Sequence, residues 1–212
     1  MLKSLKRQTV KFEIVMIDNS KNVFNSAPKA LNYLSKKAKG EYLMFVHQDV
    51  YLRDNRWLEK AENFLSSIPN LGIAGTAGRR SIKFYEIPLV LFGIKKTRIG
   101  MVFPQLERKC WSFKINTPIE VQTLDEQLLI IPKKVFASLQ FDKENCDGWH
   151  LYGVEYCLSL KKLGLKSFVL PLSVRHLSKG RFDESYFEIL QKILKKHRRE
   201  KNNFNNYGNL VH

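Results

Sequence analysis

The chain has 212 residues, which suits one domain, or one domain with a tail. Hydrophobic residues make up 44% and charged residues 26%, a globular composition that argues against wholesale disorder. The net charge is +16, because 36 Lys and Arg residues outnumber 20 Asp and Glu residues. Such an excess predicts anionic binding partners: nucleic acid, a membrane surface or phosphorylated substrates.

The cysteines and the apolar runs of the sequence indicate the cellular compartment. The three cysteines, Cys110, Cys146 and Cys157, form no CxxC pair, which argues against a disulfide framework or a zinc finger. The longest apolar run, residues 87–94, falls well short of the ~20 residues that span a bilayer, and the N-terminus lacks the apolar stretch of a signal peptide. We therefore expect a cytoplasmic protein, with a peripheral membrane contact left open.

Apolar runs alternate with amphipathic stretches along the first part of the chain. Residues 14–17 predict a strand that is buried on both faces, and a helix follows from its N-cap, Ser26, to Gly40. A strand, a helix and a short strand that runs into a flexible glycine turn are then predicted at residues 42–46, 57–65 and 71–78. This order predicts parallel strands joined by crossover helices.

The second part of the chain opens with an irregular stretch, residues 79–120, which predicts a loop-rich insertion or a β-hairpin. The elements predicted after it are a strand at 128–131, a helix opened by Pro132, a helix at 152–163 closed by Gly164, a strand at 166–170, a segment at 174–180, a basic amphipathic helix from Phe182 to about Arg199, and a frayed end. We thus divide the chain into a domain at 1–180 and a basic helix with a tail at 181–212.

Polar side chains follow several predicted strands, at the end where ligands bind in open parallel sheets. His47 and Asp49 point to the same side of the chain, and both are competent ligands for a divalent cation, Asp49 for Mg²⁺ or Mn²⁺ and His47 for Mn²⁺ or zinc. The alternative for this triplet is a strand-to-loop transition with a satisfied histidine. Asp18 suits either a base or ribose contact or a turn cap, and His176 is the weakest signal, because lone histidines are usually structural.

Taken together and in order, these segments resemble the family 2 glycosyltransferases, nucleotide-sugar enzymes of the GT-A fold. The triplet His47-Gln48-Asp49 occupies the family's metal motif, and with residues 152–157 it is closest to the glycosyltransferase-like branch first described for streptomycin biosynthesis. The other similar segments are residues 12–20 (FEIVMIDNS), 30–32 (ALN), 39–46 (KGEYLMFV), 57–58 (WL), 71–75 (LGIAG), 141–142 (FD), 155–164 (EYCLSLKKLG) and 174–176 (VRH).

The resemblance implies an α/β fold of the GT-A (Rossmann-like) type, with a mostly parallel sheet flanked by helices. It implies the inverting, metal-assisted transfer of a sugar from a nucleoside diphosphate sugar to an acceptor hydroxyl in glycan or lipid-linked saccharide assembly, on a glycan, lipid-linked or small-molecule acceptor. A divalent cation, Mn²⁺ or Mg²⁺, would clamp the diphosphate. The residues that it assigns are His47, Asp49 and His176 for the metal, and Asp18, Asn19, Ser20, Asn32, Gln48, Asp125 and Glu126 for the donor.

The chain departs from the family pattern at the metal and at the donor. His47 stands where the family has its first metal-motif carboxylate. This substitution favours either Mn²⁺ rather than Mg²⁺, or donor binding without a metal. Leu31 stands where the family has an arginine before Asn32, so one phosphate or base contact is missing.

A third departure concerns the catalytic base. The family's Glu-Asp pair aligns with Tyr152 and Gly153, and neither serves as a base at neutral pH, because tyrosine has an ordinary pKa of about 10 and glycine has no titratable side chain. Asp147 and His150 are the first candidates to replace it. Further candidates are Glu155, together with Asp125 and Glu126 in the preceding loop.

The family also has a strand and a helix ahead of the segment that residues 12–20 resemble, and residues 2–8 look like the end of that helix. Without the strand a sheet edge would be exposed. We therefore expect homodimerisation through this edge, or poor solubility.

Two other classes of function stay open. One is a catalytically weak sugar-nucleotide or glycan binder, which the missing acidic pair favours. The other is a nucleic-acid-binding protein, which only the charge suggests; no helix-turn-helix, zinc finger or RNP-type motif supports it, and we expect no nucleic-acid partner. The basic helix predicts either contact with anionic lipid or a diphosphate-lipid acceptor, or a solvated flank of the sheet.

Overall fold

A computed structural model of the chain describes residues 1–80, 98–100, 102–104, 115–178 and 183–208. Most of the irregular stretch 79–120 lies outside these residues. The helices of the described part are α1 (Leu2–Leu5), α2 (Ala27–Ser35), α3 (Trp57–Ser67), α4 (Lys133–Ser138), α5 (Tyr152–Leu160), which a 3₁₀ turn (Lys161–Leu163) continues, and α6 (Glu184–Gly208). The strands are β1 (Tyr42–Val46), β2 (Val50–Leu52), β3 (Leu71–Gly75), β4 (Ala77–Arg79), β5 (Arg98–Gly100), β6 (Val102–Pro104), β7 (Ile119–Val121), β8 (Thr123–Leu124), β9 (Leu128–Pro132), β10 (Lys166–Val169) and β11 (Val174–His176).

A five-stranded sheet in the order β1-β9-β3-β10-β7 forms the centre of the fold, and two three-stranded sheets, β2-β11-β6 and β5-β4-β8, extend it. This architecture confirms the predicted α/β class. Strands β1, β3 and β10 run in the same direction, as a crossover fold requires. The pairing is nevertheless mixed: β9 inserts between β1 and β3 and runs antiparallel to both, and β7 runs antiparallel to β10. Only β3 and β10 pair in parallel within this described sheet, so the expectation of mostly parallel pairing is corrected.

Side chains alternate between the two faces of the central sheet, and each face carries its own core. On one face Leu43 and Phe45 of β1 pack with buried side chains of α5 and α6, among them Tyr156 and Ile193. On the other face the buried Trp57 of α3 packs with strands β2 and β11. The sheet is therefore covered by helices on both sides.

Residues 14–17 do not form the buried strand that their sequence predicts. Residues 11–19 have no regular structure, and Phe12, Ile14, Met16 and Ile17 are between 38% and 65% exposed. A strand needs a neighbour for its backbone groups, and β1, at the edge of the sheet, pairs only with β9 among the described strands. The segment is held instead by Glu13, whose carboxylate accepts from the backbone N–H groups of Lys39 and Gly40.

Other predicted elements are confirmed with shifted ends. Ser26 caps α2 as predicted, accepting from Lys29 N–H, but the helix ends at Ser35 rather than at Gly40. The predicted glycine turn after β3 forms strand β4. Gly164 closes the α5 segment with a φ of +68°, the left-handed conformation that favours glycine.

Helix α6 runs to Gly208, further than the predicted end near Arg199, so part of the expected frayed end is helical. Its side chains Ile189 and Ile193 are almost fully buried in the core. This helix thus packs on the domain as a flank of the sheet. In the described part of the chain, no helix is both long enough and apolar enough to cross a membrane.

Candidate active site

The end of β1 and the end of β11 lie side by side in the fold. Strand β11 pairs antiparallel with β2, and the register sets His176 opposite Val50, the residue after Asp49. The Asp49 carbonyl accepts from Leu177 N–H at 3.2 Å, and its Oδ2 accepts from Ser178 N–H at 3.0 Å. These contacts fix the Asp49 carboxylate against the end of β11.

His47, Asp49 and His176 form a compact cluster. Each offers one ligand atom, and these atoms all lie within 4.8 Å of one another. His176 Nε2 lies 3.4 Å from Asp49 Oδ1, and the rings of His47 and His176 have their centres 5.8 Å apart. The three side chains that the resemblance assigned to a metal are therefore neighbours, although His176 is more than 120 residues from the other two.

The electrostatics of this cluster suit a cation. Although His47 keeps an exposed surface, desolvation of its ring and the adjacent His176 lower the pKa of His47, which keeps the imidazole neutral at pH 7. Burial alone would raise the pKa of Asp49, but His176 and hydrogen bonds from Ser178 outweigh it, and the pKa of Asp49 is lowered. The cluster thus presents neutral imidazole nitrogen and an ionised carboxylate, the forms that bind metal.

The donor set decides which cations fit. Two imidazole nitrogens and one carboxylate oxygen suit Mn²⁺ or zinc, whereas Mg²⁺ prefers oxygen ligands. The three ligand atoms are close enough to share one ion. His47, Asp49 and His176 could therefore hold a divalent cation.

Ser178 is a site residue that sequence reasoning missed. Its N–H binds Asp49, and its Oγ lies 3.1 Å from His176 Nε2, so it contacts two members of the cluster. The only signal for it in the sequence is its position two residues after His176, which places both side chains on the same side of an extended chain.

The loop of residues 125–127 lies beside the cluster. His47 N–H donates to the Gln127 carbonyl at 3.0 Å, continuing the β1–β9 ladder, and the negative charge of Asp125 acts on the His47 ring. Gln127 is fully buried, and its side-chain amide lies 3.3 Å from the Thr76 hydroxyl. Two of the donor-binding candidates, Asp125 and Glu126, are thereby placed at the same strand ends as the metal cluster.

Glu126 has an unusual setting. Its Oε1 accepts from the N–H of Gly153, in the first turn of α5, at 3.1 Å. Burial and the neighbouring Asp125 raise the pKa of Glu126 to about 7, against the lowering effect of hydrogen bonds from Gly153 and Val154. The carboxyl group therefore changes its charge near neutral pH.

The first two base candidates, Asp147 and His150, lie against the C-terminal helix and the residue before it. Asp147 binds Lys192 at 2.7 Å, and this contact lowers the pKa of the carboxyl group. His150 Nε2 lies 3.4 Å from an oxygen of Asp183. Each of the two candidates thus has an ionic partner outside the metal cluster.

The third base candidate, Glu155, is 2% exposed and enclosed by α6. Its carboxylate accepts from Lys196 at 2.5 Å and from Ser159 at 2.6 Å. Tyr152 is also buried, and burial raises its pKa far above the usual range, which agrees with its exclusion as a base on sequence grounds.

The donor-binding candidates that follow residue 17 form a local turn. Asp18 is exposed to solvent; its Oδ1 accepts from Ser20 N–H at 2.8 Å, and this hydrogen bond lowers the pKa of Asp18. The amide of Asn19 bonds both the N–H and the carbonyl of Phe24. These contacts order the turn.

The remaining donor-binding candidates, Asn32 and Gln48, differ in setting. The Asn32 amide bonds the carbonyl and the N–H of Phe141 at 2.9 Å and 3.2 Å, so it joins α2 to the loop after α4. Gln48 is exposed between His47 and Asp49. Their roles toward a donor stay predictions.

Comparison with known families gives a match over nearly the whole chain. A family model described as "Glycosyltransferase like family" matches residues 2–202. Among curated proteins, "ATP synthase subunits region ORF 6" of Fuscovulum blasticum is 26% identical over 168 residues. The match spans 77% of this chain and 62% of that relative.

Comparison with solved structures concerns the fold. The structure titled "Crystal structure of GalNAc-T7 with UDP, GalNAc and Mn2+" superposes with a TM-score of 0.54 at 14% sequence identity. It covers 81% of this chain, and this chain covers 34% of it. The likeness confirms the GT-A architecture that the resemblance implied.

Proposed function

Since this chain belongs to the glycosyltransferase-like family, we propose that it transfers a sugar from a nucleoside diphosphate sugar to an acceptor hydroxyl. The observation that carries the proposal is the His47, Asp49 and His176 cluster at the strand ends, where α/β sheets bind ligands. The reaction class is glycosyl transfer with inversion, in the assembly of a glycan or lipid-linked saccharide. The net charge of +16 supports an anionic donor and acceptor.

His47, Asp49 and His176 would hold a divalent cation, preferably Mn²⁺. When bound, such an ion neutralises the charge that develops on the leaving diphosphate. Asp49 supplies the negative charge, and Ser178 orients both Asp49 and His176. The solved structure of GalNAc-T7 contains UDP, GalNAc and Mn²⁺. UDP-sugars in the presence of Mn²⁺ are therefore the first donors to test.

Asp18 and Asp125 are the proposed contacts to the base or ribose of the donor. Both carry carboxylates that can accept from ribose hydroxyls or base N–H groups. Asp18 lies in the segment, residues 12–20, that resembles a strand of the family, and Asp125 lies in the loop beside the metal cluster.

The experiment is a panel of UDP- and GDP-sugars with and without Mn²⁺, scored by thermal shift and by nucleotide release. We expect stabilisation and release with at least one donor in the presence of Mn²⁺. Asp49→Asn should abolish both, because it removes the one carboxylate of the cluster. The matched control is Asp54→Asn, the same change at an exposed carboxylate that pairs with Lys60. No shift and no release with any donor would contradict the proposal.

A catalytically weak donor binder is the second candidate. The observation that favours it is the pair Tyr152 and Gly153, which offers no base at neutral pH where the family has its acidic pair. The panel separates the two candidates, because a binder gives a donor-dependent shift without nucleotide release.

A further inference from the structure

The carboxylate of Glu126 occupies the space next to Gly153, the position that aligns with the second residue of the family's acidic pair. A Cβ atom on Gly153 would lie 3.1 Å from Glu126 Cγ and 3.4 Å from Glu126 Oε1. The Gly153 N–H donates to the same oxygen at 3.1 Å. A side chain from another part of the chain thus brings a carboxylate to a place where residue 153 has none.

The central sheet puts this carboxylate at the end that carries the metal cluster. Val46 pairs with Leu128, and the ladder continues with the hydrogen bond from His47 to Gln127. Glu126 is the next residue along the same loop. The buried Gln127 anchors this loop to the sheet.

We propose that Glu126 is the general base of the transfer. The inference rests on the proposed function. The acceptor hydroxyl oxygen forms the new bond to the anomeric carbon, and its proton passes to the Glu126 carboxylate. The bond from the anomeric carbon to the diphosphate oxygen breaks, and its electron pair leaves with the nucleoside diphosphate.

The surroundings of Glu126 suit this role. Burial and Asp125 hold its pKa at about 7, and a base is most effective when its pKa lies near the working pH. The other titratable groups that act on it or feel its charge are Tyr152 on α5, Cys146 before α5 and Cys157 on α5. Burial raises the pKa of all three, so they are neutral at pH 7, and Asp125 contributes the negative charge.

The structure also weakens two of the competing assignments, Asp147 and Glu155. Asp147 is paired with Lys192, and its pKa is lowered, so it is a poor proton acceptor. Glu155 is enclosed by Lys196 and Ser159 and is 2% exposed, which leaves little access for a substrate, whereas Glu126 is only partly buried. Glu126 combines a carboxylate, a raised pKa and a position at the strand ends.

The test is Glu126→Gln in the full chain, with UDP-GalNAc, UDP-GlcNAc and UDP-Gal as donors, Mn²⁺ present, and water as the acceptor. The glutamine oxygen can still accept from Gly153 N–H, so the fold should be retained. We expect nucleotide release to fall by about 10²- to 10⁴-fold. The thermal shift given by Mn²⁺ and donor should be unchanged, and Glu120→Gln, at an exposed carboxylate paired with Lys166, should match the wild type.

The pH profile gives an independent readout. The wild-type rate should rise with pH and level off above pH 7, as Glu126 loses its proton, and the Gln variant should lack this limb. A double change that moves the carboxylate, Glu126→Ala with Gly153→Asp, should recover at least part of the activity that Glu126→Ala loses. A folded double variant with no recovery would contradict the assignment.

The outcomes separate this inference from the function on which it rests. Release by Glu126→Gln at the wild-type rate overturns the assignment of the base and leaves glycosyl transfer intact. Loss of the donor-dependent shift in that variant also overturns it, because Glu126 would then act in binding. Absence of release from the wild type with every donor overturns the proposed function and the inference together.

Discussion

The ammonium nitrogen of Lys196 lies 2.5 Å from the carboxylate of Glu155, which is 2% exposed inside the domain. The same nitrogen lies 2.8 Å from Asp142, so one lysine of α6 pairs with two carboxylates. Ile189 and Ile193 bury the apolar side of the helix next to this ion cluster. Part of the basic charge of α6 is thus used inside the fold rather than offered to a partner.

Removing Lys196 should therefore destabilise the domain. In Lys196→Met the buried carboxylate of Glu155 would lose its ammonium partner and keep only the Ser159 hydroxyl and the His197 ring, 3.5 Å away, and we expect a loss of about 3 kcal/mol in the free energy of unfolding. Urea unfolding followed by circular dichroism measures it. Lys195→Met changes an exposed neighbour on the same helix and should stay within about 0.5 kcal/mol of the wild type. Equal stability of the two variants would contradict a structural role for the ion pair.

The metal preference should depend on His47. We expect His47→Asp to raise the response to Mg²⁺ relative to Mn²⁺, because it exchanges a nitrogen ligand for an oxygen ligand. The ratio of the thermal shifts, or of the nucleotide release rates, with the two cations measures the change. Asn63→Asp adds the same charge at an exposed position of α3, outside the cluster, and should leave the ratio unchanged. If both variants shift the ratio equally, the effect is one of charge and not of ligation.

Gly78 should tolerate no side chain. A Cβ atom there would overlap the carbonyl oxygen of Thr123 in the paired strand β8, and backbone cannot move aside cheaply. We expect Gly78→Ala to cost about 1–3 kcal/mol, as other overpacked sites do. Gly40→Ala, whose Cβ would meet Tyr42 only at an ordinary 3.5 Å, is the control and should be close to neutral. Thermal unfolding of both variants decides the matter.

The raised pKa of Glu126 should also make the free energy of unfolding depend on pH. Its pKa is raised from 4.5 to about 7, so between these pH values the folded protein holds a proton that the unfolded chain has lost. The free energy of unfolding therefore falls as pH rises through this window, by up to about 3 kcal/mol at roughly 1.4 kcal/mol per pKa unit. Glu126→Gln should lack this loss. The difference in the free energy of unfolding between the variant and the wild type should therefore shift in favour of the variant when the pH is raised from 4 to 8. Parallel pH curves for the two proteins would contradict the raised pKa.

The exposed segment 11–19 should promote self-association, as the sequence predicted for an open sheet edge. Ile14 and Met16 are 45% and 65% exposed, and β1 is an edge strand of the central sheet. We expect the double change Ile14→Thr and Met16→Lys to lower concentration-dependent association in sedimentation velocity. Val23→Thr, which also removes an exposed apolar side chain but lies outside the segment, is the control. A wild type that stays monomeric over the whole concentration range would contradict this expectation.

Local patterns allowed much of the fold to be predicted. The apolar run of Tyr42–Val46, the cap Ser26 and the terminator Gly164 act through neighbouring residues, and each appears in the structure in its predicted role. The strand predicted from the apolar run at residues 14–17 is wrong, because a strand depends on a partner strand that the local pattern does not reveal.

The sequence by itself determined most of the helices and the apolar strands at 42–46, 71–75, 128–132 and 166–169, the family, and the identity of His47, Asp49 and His176 as ligand types. Only the tertiary structure decided that β9 enters the sheet antiparallel between β1 and β3, that the end of β11 meets Asp49, and that the Glu126 carboxylate lies against Gly153. The physical reason is that period and capping act within a few residues, whereas pairing, burial and a shifted pKa arise between groups that are far apart in sequence.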